Sequence, residues 1–202
     1  MSTFLGHSIT GAGVFFSNRK LHKSSLKEVG WLIWLIVVAY APDLDQYLGF
    51  LGRMNHSEGV RVTHSLFSAF VLPVYTVLGL YIMGTDLQRR YVRIIQVFWA
   101  SFSHLILDLL TGAIPLPLFW PFSNFQLLLP FGILPPVIAT NFASLEFYRN
   151  LLIEAGVLIP ILVIIYARFN LPGVMARRSP RLTTILLAVS ACFMLWGLLL
   201  PR

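Results

Sequence analysis

Long apolar runs separated by short polar breaks dominate the chain, and the runs have the length of bilayer crossings. A spanning helix takes about 17–25 mostly apolar residues. Residues 29–50, 64–84, 92–112, 151–168 and 182–200 fall in that range. The last run, LTTILLAVSACFMLWGLLL, is the cleanest, and the first has a polar end. Residues 4–16, FLGHSITGAGVFF, are apolar but short. They predict a short N-terminal helix, as a half-helix, a re-entrant piece or an interfacial segment. Residues 113–137 hold six prolines and five aromatic residues, which excludes an ordinary helix. That stretch predicts a proline- and aromatic-rich loop at the membrane interface. The pattern therefore predicts an all-α polytopic bundle with about five spanning helices, forming one integral membrane domain over residues 1–202.

Composition agrees with this reading. Hydrophobic residues make up 57% of the chain and charged residues 11%, with a mean hydropathy of +0.77. Soluble domains carry about 25% charged residues. The single cysteine, Cys192, excludes an internal disulfide. The net charge of +7 raises the question of nucleic acid, but no basic stripe with interleaved aromatics exists, and we expect no nucleic-acid partner. The basic residues act instead as topology signals. Eleven lie at 18–28, 85–93 and 168–181, against Arg53, Arg61, Arg149 and Arg202 on the other side. The positive-inside rule then puts 18–28 in the cytoplasm and the 51–63 and 113–150 loops outside. Residues 1–17 lack a basic leading region and are kept in the mature chain.

Against this background the ionisable residues stand out, because a charge at the centre of a spanning helix costs about 2.5–3.5 kcal/mol on insertion scales. Asp43 and Asp45 sit in APDLD at the end of the first run. Once Pro42 has ended the helix, both carboxylates can turn toward one centre, or they can simply mark a solvated helix end. His64, in RVTHS, opens the second run with Thr63 as a helix cap beside it; it either faces the pocket at the level of Asp43 and Asp45 or is an interfacial histidine. His104 and Asp108 are four residues apart and share one helix face. His7 is a further candidate near the terminus. His22 and His56 lie in loops and stay outside the set. Together these residues offer imidazole and carboxylate at one depth, the N/O donor set of zinc, manganese or iron.

The residues His7, PDLD at 42–45, RVTHS around His64, HLILDLLT at 104–111 and Trp120 to Ser123 resemble the YdjM-type inner-membrane metal-dependent hydrolases, described as LexA-regulated. The resemblance covers about residues 1–125; residues 126–202 hold a loop and helices without motifs. That family is distantly similar to the zinc-dependent phospholipase C and S1/P1 nuclease group, whose ligand motifs include His-x-x-x-Asp. A second His-x-x-x-Glu motif of that group is absent, which argues against a three-metal cluster. The resemblance implies a bacterial inner-membrane, multi-pass protein with one or two divalent ions, zinc foremost, held by His7, Asp43, Asp45, His64, His104 and Asp108.

The expected chemistry is hydrolysis of a phosphoester of a lipid or lipid-linked substrate at the periplasmic side. Water activated to hydroxide by the metal is the nucleophile. Asp45, if it is not a ligand, serves as general base, and Arg61 stabilises the developing oxyanion or anchors a headgroup. The alternative is a non-enzymatic divalent-metal protein for transport or sensing. A transport path is disfavoured by the scarcity of polar residues in the inner halves of the helices. A lipid-phosphate-phosphatase reading fails because its upstream motifs are missing and position 97 is valine. An intramembrane protease would need His-Glu-x-x-His.

Overall fold

A computed structural model describes residues 2–18, 26–46, 61–130, 132–135, 144–171 and 180–200. It contains six α-helices: α1 (Phe4–Phe16), α2 (Leu26–Tyr40), α3 (Leu66–Ile82), α4 (Leu87–Thr111), α5 (Leu145–Asn170) and α6 (Pro180–Leu199). Short 3-10 segments cover Ala41–Gln46 and Val62–His64. The described residues form no strand beyond one isolated antiparallel bridge, Leu116 to Leu127.

Local chemistry sets the helix ends. Thr3, Ser65, Asp86 and Ser144 each accept a backbone N–H from the first turn of the helix that follows. Such caps contribute about 1 kcal/mol each. Ser65, not Thr63, therefore caps the 66–82 helix. At the other end of α4, Gly112 takes φ +56° and ends the helix. A β-carbon there would lie 3.1 Å from the Gly132 nitrogen. That clearance lets the chain pass close enough for Ile133 and Leu134 to donate to the Leu110 carbonyl at 2.7 and 3.0 Å.

Helix α1 sits inside the bundle, packed on α2, α4 and α5. It is thus neither interfacial nor peripheral, although its 13 residues are as short as the sequence suggests. Gly11 permits this depth: a β-carbon there would lie 3.1 Å from the Cα of Ile36, so two backbones touch. One apolar core joins Phe15, Trp31, Leu35, Val38, Leu80 and Val97. A second joins Ile9, Leu107, Leu134, Val157 and Leu158. Helices α3 and α4 pack together, as do α5 and α6.

The outward faces are apolar too. Phe67, Tyr75, Leu78, Trp99, Leu152, Ile185 and Leu195 are all more than half exposed. Soluble monomers rarely present such continuous apolar surface. Helices α4, α5 and α6 are long and apolar enough to cross a bilayer. Among the described residues three helices have that length, against the about five crossings expected from the sequence. In the 29–50 and 64–84 runs the α-helices have only 15 and 17 residues. Pro42 turns the end of the first into a 3-10 segment, and the Ser65 cap starts the second late. The 113–135 stretch forms turns rather than helix, with Leu116 and Leu134 buried and Phe122 and Phe125 exposed.

Candidate metal centre

The site forms where α2, the two 3-10 segments, α1 and the last turns of α4 meet. Its first component follows from Pro42. With no N–H to give and a fixed φ, proline leaves the chain to tighten into the 3-10 segment 41–46. A 3-10 helix has three residues per turn, so residues two apart point about 240° apart. Asp43 and Asp45 therefore separate instead of converging. Asp43 turns into the bundle and is 2% exposed. Asp45 turns toward the chain at 61–63, where its carboxylate accepts from Arg61 Nε at 3.2 Å and from the Thr63 hydroxyl at 2.7 Å. Arg61 Nη2 also reaches Asp45 Oδ1 at 2.5 Å and Asp43 Oδ1 at 3.4 Å.

These contacts set which ring nitrogens of the two central histidines donate. The Thr63 hydroxyl has one hydrogen, which goes to Asp45. Its contact with His64 Nδ1 at 3.0 Å must then be one in which Nδ1–H donates to Thr63. His104 Nδ1 lies 2.8 Å from the Ala39 carbonyl, which can only accept, so Nδ1–H is the donor there too. In the neutral rings both Nε2 atoms then carry lone pairs, and they face each other at 3.2 Å. Two lone pairs at that distance repel unless a proton or a cation lies between them.

Both inward carboxylates converge on the same point. His64 Nε2 is 3.3 Å from Asp43 Oδ1 and 3.2 Å from Asp108 Oδ2. His104 Nε2 is 3.5 Å from Asp108 Oδ2, as the shared helix face predicts. Asp43, His64, His104 and Asp108 each offer one ligand atom, all within 4.8 Å of one another. Bonds of about 2.0–2.1 Å in a tetrahedral zinc site put neighbouring donors roughly 3.3 Å apart. The donor types, the tautomers and the spacings thus all fit a divalent cation. The hydrogen bonds behind the rings are also those that orient metal-bound imidazoles elsewhere.

The remaining sequence candidates take different places. His7 is fully buried and stacks on His104 with ring centroids 4.1 Å apart. It meets the opposite side of the same carboxylates, 3.4 Å from Asp43 Oδ2 and 3.9 Å from Asp108 Oδ1. Asp45 is not one of the four grouped donors; its contacts are Arg61 and Thr63. Arg61 stands at the edge with its side chain 17% exposed. His22 and His56 lie outside the described residues.

One important residue is missing from the sequence set. Glu154, on α5 and 1% exposed, accepts from the hydroxyls of Ser2 and Thr3 and from the Thr3 N–H. Ser2 N–H in turn donates to Asp108 Oδ1 at 2.9 Å. Glu154 thus pins the start of α1, and with it His7, against the cluster. The fit is close: a β-carbon on Gly6 would overlap the Glu154 carboxylate. The signal was available, since Glu154 is a lone carboxylate in the apolar run LLIEAGVLIPILVIIYAR and carries an insertion cost there.

The fold and the centre define a helical membrane protein with a buried two-Asp, two-His group able to bind a metal ion. A family model described as YdjM inner membrane protein matches residues 1–200, and the chain belongs to that family. The match reaches well past the 1–125 region that carries the motifs, so α5 with Glu154 lies within it. No curated protein and no solved structure matches the chain.

Proposed function

We propose that this protein is a membrane-embedded metal-dependent hydrolase that cleaves a phosphoester of a lipid or lipid-linked substrate at the periplasmic face of a bacterial inner membrane. The observation that carries the reading is the convergence of His64 Nε2 and His104 Nε2, 3.2 Å apart, with the Asp43 and Asp108 carboxylates in one buried group. A divalent cation held there, zinc by preference for this N/O set, supplies Lewis acidity and lowers the pKa of bound water to about 7.

The residues around the four donors take distinct tasks. Asp45 orients Thr63, which orients His64. Both Asp45 oxygens are engaged by Arg61 and Thr63, so Asp45 serves better as a positioning group than as the base proposed from its sequence position. Among the described residues Arg61 is the cation against the cluster, 3.4 Å from Asp43 Oδ1 and partly exposed. With Asp108, Thr111, Ile114 and Leu116 it borders a closed crevice beside the cluster, so a phosphate would meet the exposed part of its guanidinium.

A lipid substrate is supported by a second feature. An apolar cavity of about 380 Å³ lies between α1, α4 and α5. Its upper rim is formed by Ile9, Thr10 and Ser103, next to His7 and His104 in the chain, and it extends to Ser17, Ile95 and Ile165. It is shaped for a hydrocarbon tail beneath a headgroup at the centre. The orientation rests on charge: Arg89, Arg90 and Arg93 lie in the first turns of α4, and the cluster lies in its last turns.

A closed, non-catalytic metal site is the second reading, favoured by the near-complete burial of all four donors. The two separate in one experiment. Protein purified in detergent and loaded with zinc is offered a panel of phospholipids and isoprenoid phosphates, with Asp108→Ala beside it. Chelator-sensitive hydrolysis, lost in Asp108→Ala together with the metal, supports the hydrolase. Stoichiometric metal without hydrolysis of any lipid in the panel would leave the non-catalytic reading.

A further inference from the structure

The four grouped donors use only half of what the two carboxylates present. Asp43 turns Oδ1 to His64 and Oδ2 to His7. Asp108 turns Oδ2 to His64 and His104, and Oδ1 to His7. Each carboxylate therefore has an inner oxygen on one imidazole pair and an outer oxygen on a third imidazole. On that outer side His7 is fully buried, and neither of its ring nitrogens has a hydrogen-bond partner. Stacking on His104 accounts for the ring's position and leaves the nitrogens unexplained. A buried polar atom without a partner is costly and calls for a reason.

We propose that the centre is binuclear, with a second divalent cation held by His7 Nε2 and the outer oxygens of Asp43 and Asp108. The two carboxylates then bridge two cations, one oxygen to each. This rests on the metal reading above and extends it to a second subsite.

Charge balance is met by the first cation and sets the condition for a second. Asp43, Asp45 and Asp108 against Arg61 leave two negative charges in the cluster when the imidazoles are neutral. One divalent cation brings this to neutrality. A second makes the site positive, which suits an anionic phosphate. Two-metal sites stabilise both the attacking and the leaving oxygen of a phosphoryl displacement. The outer subsite has only three protein donors, so it keeps room for a substrate oxygen. The subsite is also held in place from behind: Ser2 N–H fixes Asp108 Oδ1, Glu154 holds Ser2 and Thr3, and the Thr3 carbonyl accepts from His7 N–H one helical turn on.

The test is stoichiometry. Full-length protein in detergent is saturated with Mn(II), freed of excess ion, and examined by elemental mass spectrometry and electron paramagnetic resonance. The expected wild-type result is two manganese ions per chain with an exchange-coupled spectrum. His7→Ala should hold one ion and give an uncoupled six-line signal. A wild-type ratio of one at saturation overturns the second subsite and leaves the proposed hydrolase centre standing. A wild-type ratio of zero overturns both. If wild type holds two ions and His7→Ala still holds both, or loses both, the assignment to His7 falls. The wild-type ratio decides the matter even if His7→Ala does not fold, and His7→Asn, with a shorter amide, is the second variant.

Discussion

The bundle buries charge at both ends, and the two ends do it differently. At the end formed by the first turns of α2 and α4, Glu28 meets Arg93 Nη2 at 3.1 Å, and the Arg93 guanidinium lies over the Trp31 ring at 4.9 Å. Nearby, Gln96 accepts from the Trp31 indole N–H and donates to carbonyls of α1. One acid meets one base, and neutral groups pair with one another. At the opposite end three aspartates meet one arginine among the described residues, and three imidazoles fill the space between them. The first end balances in charge, although Glu28 Oε2 and Arg93 Nε have no hydrogen-bond partner. The second has donors and negative charge in excess, which is what a cation requires. The comparison separates a structural ion pair from a binding site by asking whether the charges sum to zero.

Several substitutions would sharpen or break that contrast. Glu154→Ala should have the largest effect. It strands the Ser2 and Thr3 hydroxyls and the Thr3 N–H in a buried place, at a cost of about 1–3 kcal/mol for a lost buried partner. It also frees the start of α1, so metal affinity should fall at least as far as stability, read by thermal unfolding with and without zinc. If zinc binding were unchanged, Glu154 would be a packing residue and nothing more.

Thr63→Val comes next. It keeps the shape and removes the hydroxyl between Asp45 and His64. Loss of such a supporting group costs about 10–100-fold in metal affinity. Titration against a competing chelator measures it, and an unchanged affinity would mean that the His64 tautomer is set in some other way.

Glu28→Gln, at the balanced end, should do least to metal binding. Its pair with Arg93 is largely buried, so stability should fall, but metal content should stay at the wild-type level. A drop in metal content there would show that the two ends are coupled and would undo the contrast.

How much of this was legible in the sequence differs between features. The apolar runs, the short α1, the absence of helix among the described residues of 113–135 and the i, i+4 pair His104–Asp108 follow directly from spacing. So does the gathering of His7, Asp43, His64 and Asp108 at one depth. Asp45 was harder, because a two-residue spacing says nothing until the backbone type is known. An extended segment would have put the two aspartates on the same side, and the 3-10 turn instead sends Asp45 toward Arg61. The role of Thr63 depends on two contacts made at once, which no local pattern encodes. Glu154 was visible as an anomaly, but its partners lie about 150 residues away, so its purpose was not. The lengths of α2 and α3 depend on where Pro42 and Ser65 stop and start a helix, which hydropathy does not register.

The burial of the four donors, each 3% exposed or less, has a consequence in time. An ion inside can leave only when the protein opens, and opening is a property of the fold rather than of the solution around it. Exchange with a strong chelator should therefore be first-order, at a rate that reaches a ceiling as chelator concentration rises. Stopped-flow release of bound zinc measures that ceiling. Loosening the Arg61–Asp45 contact at the rim, as in Arg61→Ala, should raise it, so the residue nearest the cleft would set how long an ion stays.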